Sequence, residues 1–364
     1  MAQIKNNFKQ KSTAVRADNE TVVKNKPALS PKNREALETQ VAKAAVMNDL
    51  DAVKAILAQL SEAGVQSIHE ARGGQDASTP FMAMALNGNL EGLRLLSDWC
   101  DEEAGDRLRE SVFCAAAESG SVECLRFLAP KHAHKRERDG STPLHAAARA
   151  GVASTDALQF LAELADPNER DHSGATALHE AAWGSHVEAC RFLMTVCDPL
   201  AKDDNGDTAL GNAVMVNAVE VVRLLEPVSD VNAQSGDGWT PALVTTTQET
   251  ADSLRILSRR ADWSIRAEWT SPDGVEGDPE NALELSLHVS DDHNGVLECA
   301  NELAKHFPLE DVKKALATLG EKGKEKMPAG FARVEAEALR ESVGEAEREN
   351  GHDVLRRAKS SSRL

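Results

Sequence analysis

His179 and Glu180 open the phrase His179-Glu180-Ala181-Ala182-Trp183, which begins as the helical His-Glu-x-x-His pattern does. In that pattern two histidines one turn apart hold a zinc ion and the glutamate activates its water. Trp183 stands where the second ligand must be, so no metal centre is expected. His132 and His134 flank one alanine, and two histidines without further ligands read as a solvated loop. Gly320-Glu321-Lys322-Gly323-Lys324 lacks the spacing of a phosphate-cradling loop, and no Gly-x-Ser-x-Gly occurs. The sequence thus offers no catalytic constellation, and it implies no cofactor.

Six cysteines stand at 100, 114, 124, 190, 197 and 299 with no Cys-x-x-Cys pair. Cys114, Cys124 and Cys190 fall where helices carry core residues, so they read as small buried hydrophobes. Reduced thiols in a cytosol-like compartment are the expectation.

The elements that position these residues announce themselves by repetition. Gly140-Ser141-Thr142-Pro143-Leu144-His145-Ala146-Ala147-Ala148 returns as Gly174-Ala175-Thr176-Ala177-Leu178-His179-Glu180-Ala181-Ala182. Fainter copies start at Gly206 and Gly238. A second anchor is an acid followed four and five residues later by an apolar pair. Glu91 leads to Leu95-Leu96, Glu123 to Phe127-Leu128, Asp156 to Phe160-Leu161, Glu188 to Phe192-Leu193, Glu220 to Leu224-Leu225 and Asp252 to Ile256-Leu257. Successive pairs lie 32 or 33 residues apart, so the chain reads as stacked units that cannot bury their apolar faces alone.

Within each unit the spacing predicts two short helices. Thr142 caps the first through its hydroxyl, and Pro143 occupies the first helical position, where a missing N–H costs nothing. Ala147 and Ala148 let the second helix approach closely. Gly120 and Gly151 suit the turn between helices, where positive φ is needed. His145 and His179 recur at one place in the phrase, as a hydrogen-bonded scaffold histidine would.

The Thr-Pro-Leu-His-x-Ala-Ala phrase, the interhelical glycine and the Leu-Leu pair together resemble the ankyrin repeat, over roughly residues 37–308. In the unit starting near 106, Ser111-Val112-Phe113-Cys114 replaces Thr-Pro-Leu-His. The resemblance implies an all-α ankyrin-repeat solenoid of about eight helix-turn-helix units with short finger turns, its outer two units degenerate caps. The first of these is Thr39 to Leu57 and the last Asn281 to Phe307, with insertions through residues 62–78 and 271–279. A basic, unstructured arm (1–30) precedes the array (31–308), with Ser30-Pro31 starting its first helix. A charged helical extension (309–364) follows, carrying Val312, Leu316 and Leu319 on one face, then Phe331, Val334, Ala338 and Leu339.

In the ankyrin family successive fingers line a concave groove that holds a partner protein. Carried over residue by residue, the variable groove positions are Arg138, Asp139, Ser141 and Arg149; His172, Ser173, Ala175 and Trp183; Asn205, Asp207 and Met215; and Asp237 and Trp239. Trp183 and Trp239 are the candidate anchors, since tryptophan dominates binding hot spots. The opposing reading packs each on its own repeat's insertion or on the neighbouring finger. Lys131 to Arg138, with Arg149 near it, is the one dense basic cluster in the body. It could grip an acidic peptide or a phosphate, or it could merely offset neighbouring acids.

Charge separates the segments. Residues 1–34 hold eight Lys/Arg against two Asp/Glu, whereas residues 35–308 hold 21 against 46. So acidic a body repels nucleic acid and anionic membrane. No signal-like or membrane-spanning stretch is evident, and a cytoplasmic monomer is expected. The sequence-level function is therefore a non-catalytic scaffold that binds another protein. The alternative is an effector or targeting adaptor whose tails carry an address. Ser362-Arg363-Leu364 resembles a peroxisomal import tripeptide, and the basic tail resembles a type IV secretion signal. Docking of residues 309–364 on the last repeat would mark them as structural.

Overall fold

A computed structural model describes residues 29–68, 79–100, 111–247, 251–265, 302–319, 328–330, 332–338 and 340. Regular structure among the described residues is helical, with no strand; two isolated bridges pair Ile68 with Cys100 and Lys202 with Thr208. Seven helix pairs follow in order. They are α1 (Pro31–Val46) and α2 (Leu50–Glu62), α3 (Pro80–Leu86) and α4 (Leu90–Leu96), α5 (Val112–Ser119) and α6 (Val122–His132), and α7 (Pro143–Arg149) and α8 (Thr155–Leu164). Then come α9 (Ala177–Trp183) and α10 (Val187–Leu193), α11 (Ala209–Met215) and α12 (Val219–Leu225), and α13 (Pro241–Thr247) and α14 (Ala251–Leu257). A further helix, α15, spans Leu309–Leu319, and residues 328–330, 332–338 and 340 are helical as well.

The chain divides into two compact units, Met1–His172 and Ser173–Leu364. In the first, α1, α3, α5 and α7 pack in succession, and α4, α6 and α8 form a second row. In the second unit α9, α11 and α13 form one row and α10, α12 and α14 the other. The apolar pairs read from the sequence explain this layering. Leu96, Leu128, Leu161, Leu193, Leu225 and Leu257 are all buried, while their preceding partners are half-buried. Alanine fills the first row, where Ala116, Ala147, Ala148, Ala181, Ala182 and Ala213 are fully buried.

Each first helix starts at a hydroxyl. Ser30, Thr79, Ser111, Thr142, Thr208 and Thr240 accept hydrogen bonds from backbone N–H groups two or three residues on. Ser111 therefore does the work of threonine in the unit whose phrase is degraded. The turn between paired helices needs a left-handed residue. Gly88, Gly120 and Gly151 supply it in three units, but Asn48, Ser185 and Asn217 hold it elsewhere. Gly184 does not: its φ is −74°, and the left-handed place falls on Ser185 at +60°.

Helix α15 docks. Val312 and Ala315 of α15 share a core with Leu243, Leu254, Leu303 and Phe307, and Leu316, Val334 and Trp263 pack against it. The Arg333 guanidinium donates to the carbonyls of Ala304 and Phe307. Residues 309–317 thus serve as a cap. The arm at 1–28, the insertion at 271–279, most of the eighth unit, Phe331, Leu339, Cys299 and the tail with Ser362-Arg363-Leu364 lie outside the described residues. Among described residues no helix is long and apolar enough to cross a membrane.

Candidate functional site

The fingers are built by one local device. In the unit Ser173–Leu364, Asp203 N–H donates to Asp207 O and Gly206 N–H donates back to Asp203 O, at 2.9 and 3.0 Å. The Asp203 carboxylate accepts from the N–H groups of Asn205 and Asp207, both at 2.9 Å. The next finger repeats this, with Ser235 N–H donating to Trp239 O at 2.8 Å and Gly238 N–H to Ser235 O at 3.0 Å. Backbone bonds also join finger to finger: Asp204 N–H reaches Ser173 O at 2.9 Å, and Gly236 N–H reaches Asn205 O. In the unit Met1–His172 the matching bond runs from His172 N–H to Asp139 O at 2.8 Å. Asp139, Ser173 and Asn205 therefore spend their backbone on stacking and keep exposed side chains.

Histidine fixes the finger to the helix. Thr176 N–H donates to His179 Nδ1 at 3.2 Å, and His179 Nε2 faces Asp207 O at 3.2 Å. An amide N–H can only donate, so Nδ1 is the acceptor and the proton sits on Nε2. His145 repeats the contact with Thr142 N–H at 3.3 Å. Both rings are buried, which is the scaffold role their recurrence indicates.

In the unit Met1–His172 the candidate charges neutralise one another. Arg149, at the end of α7, donates to Glu137 Oε2 at 2.7 Å and lies 3.8 Å from both Glu118 and Asp139. Arg136 pairs with Glu169 at 2.6 Å. Burial, and then the neighbouring Glu137 charge, raises the Glu118 carboxyl. Burial would raise Asp139 too, but the Ser141 N–H bond and Arg149 bring it below its usual value. Arg136 and Arg149, two cations of the basic region, are thus paired within this unit, and Arg138 is exposed. Ser141 departs from expectation: it is 0% exposed, because its carbonyl closes the finger onto Glu137 N–H and turns the side chain inward. His132 also departs, being the buried last residue of α6 rather than part of a solvated loop.

In the unit Ser173–Leu364 the surface is apolar flanked by acid. Trp183, the last residue of α9, is 54% exposed, and Met215, the last residue of α11, is 39% exposed. Asn205 and Asp237 are exposed on the fingers, and Asp207 is half-buried. Burial, followed by the charges of Asp203 and Asp237, raises the Asp207 carboxyl. Trp239 is half-buried, with its indole packed against the core that includes Leu243, Leu254 and Phe307. Ala175 is buried.

Register exposes residues that motif reading passed over. Val46 and Leu86 end α1 and α3 as Trp183 ends α9, and both are exposed, as is the adjoining Met47. Position at the C-terminal end of a first helix was the signal that could have found them. A groove of about 580 Å³ lies apart from all candidates, between α6 and α8, lined by Glu123, Arg126, Asp156, Phe160 and Glu163. The Arg126 guanidinium sits 5.1 Å over the Phe160 ring there. Burial pushes the Cys190 thiol up to about 12 and raises Cys114 and Cys124 as well, so these are inert core residues. Among described residues no group of His, Cys, Asp and Glu could hold a metal ion.

A family model described as ankyrin repeats (3 copies) matches residues 41–139, 81–171, 113–203 and 144–235. No curated protein matches the chain.

Proposed function

The chain belongs to the ankyrin-repeat family, and from that premise we propose that it is a scaffold that holds a partner protein and performs no chemistry of its own. Members of this family are typically interaction modules. The observation that carries the reading is Trp183. A tryptophan 54% exposed at the end of a seven-residue helix forgoes burial that its own fold could use, and rigid aromatic anchors are what binding hot spots favour. Met215 extends the same step on the adjacent helix. The finger turns and capped helices beneath are held by backbone bonds, so little ordering cost falls on association.

The test is capture from native extract with the intact chain beside a Trp183→Ala/Met215→Ala variant of equal helix content. A protein retained by the first and lost by the second supports the assignment. Equal capture by both places the binding surface elsewhere on the chain.

A further inference from the structure

Resting on the site just proposed, we infer that the segment held on the Trp183–Met215 step is cationic: an extended peptide stretch with one large apolar residue and two or more Lys or Arg beside it. The step is an unpartnered apolar surface within the unit Ser173–Leu364, and its flank decides the occupant. Asp207, which meets His179 through its carbonyl, has the acids Asp203 and Asp237 and the base Lys202 acting on it, whereas Glu226 is already paired with Arg260 at 3.3 Å. Lys202 donates to Gln234 O at 2.7 Å and its charge partly offsets the acids at Asp207, which leaves acid in excess by two carboxylates. The carboxylates also feel one another, since Asp203 and Asp237 raise Asp207 beyond what burial does. An acidic peptide would add to this repulsion and a neutral one would leave it in place, whereas a cationic one relieves it.

The geometry sets a spacing. His179 meets Asp207 O at 3.2 Å, so the acidic finger lies one helical turn before Trp183. From Ala209 to Met215 helix α11 rises about 9 Å at 1.5 Å per residue, and Asp207 stands two non-helical residues before it. An extended peptide covers that span in three or four residues at about 3.4 Å each, so its cations should stand three or four residues from its apolar anchor. Lys or Arg can also lie over the exposed Trp183 ring.

The test uses the full chain and displayed random short peptides, with two variants checked for unchanged helix content. Trp183→Ala/Met215→Ala removes the step, and Asp207→Asn/Asp237→Asn removes charge but little shape. The inference expects selected peptides that carry paired Lys or Arg at that spacing and lose binding on the first variant. Their affinity should fall about fivefold or more on the second variant and in about 0.5 M salt. Neutral or acidic peptides that depend on Trp183 overturn the cationic class while leaving the site standing. Peptides indifferent to Trp183 and Met215 overturn the site itself. If no peptide is selected, the step does not hold a short cationic segment.

Discussion

The Arg149 guanidinium stands 2.7 Å from the Glu137 carboxylate, across twelve residues of chain, and so clamps the end of α7 to the finger that introduces it. The two partners are unequal. Arg149 is 39% exposed and Glu137 only 8%, which makes the carboxylate the one that suffers when the pair is broken. Arg149→Ala should cost about 1–3 kcal/mol, because a nearly buried charge is left without its cation. Glu137→Gln in the same background should recover part of that loss. Denaturant midpoints of the single and double variants give the answer; strictly additive losses would falsify the clamp.

The left-handed turn makes a second prediction. Ser185 and Asn217 sit at φ +60° and +54°, where glycine serves in neighbouring repeats. Ser185→Gly should stabilise the chain by about 0.5–1 kcal/mol, with a smaller gain for Asn217→Gly. The converse control is Gly206→Ala. Gly206 has φ +83°, and a Cβ there would stand 2.8 Å from the Gly236 backbone nitrogen, so the methyl meets atoms that cannot step aside. A loss of about 1 kcal/mol or more is expected. Thermal melting separates the outcomes, and a destabilised Ser185→Gly would refute the strain.

His179 has both ring nitrogens engaged, by Thr176 N–H and Asp207 O. His179→Ala removes a cap and a finger tie together, for an expected loss of about 1–3 kcal/mol. His179→Gln can keep one acceptor and should lose less. Should the glutamine and alanine variants melt together, the hydrogen bonds would not be the cause.

Asp207 carries a sign that can be checked by pH. Its folded carboxyl titrates above the ordinary value of 3.8, so the folded state binds its proton more tightly than the unfolded state does. The resulting penalty is complete above the folded value and fades as pH falls through the folded value towards the unfolded one. Asp207→Asn should therefore stabilise the chain near neutrality by about 0.5 kcal/mol, a figure kept small because the group is half-exposed. The advantage should shrink as the solution is acidified towards pH 4. A constant difference across that range would point to shape rather than charge.

These particulars show where sequence was sufficient. The repeat period, the hydroxyl caps and the buried leucine of each pair are local or strictly periodic properties, and all are visible in the letters. The fate of Trp239 was not, because its packing partners include Leu303 and Phe307, some sixty residues away. Ser141 misled for a related reason: a position one residue from a capping threonine can face either way, and the finger's own hydrogen bond decides. The charge balance at Arg149 depends on Glu118, Glu137 and Asp139 converging from a neighbouring helix and a finger. A linear count of basic residues sees no such convergence. Trp183 was legible because its exposure follows from register on a short helix, whereas Leu86 lacked the rarity that draws notice to a tryptophan.

In the unit Ser173–Leu364 the finger row is fastened by one backbone bond per repeat, from Asp204 to Ser173 and from Gly236 to Asn205. These bonds lie end to end along the row, beside the helix packing and the His179 and Lys202 ties that also join the repeats. Under tension the fastenings should yield one at a time, since no two repeats break together of necessity. Each released bond leaves its neighbours in place to guide re-closure, so the row can give at one joint without coming apart at the rest.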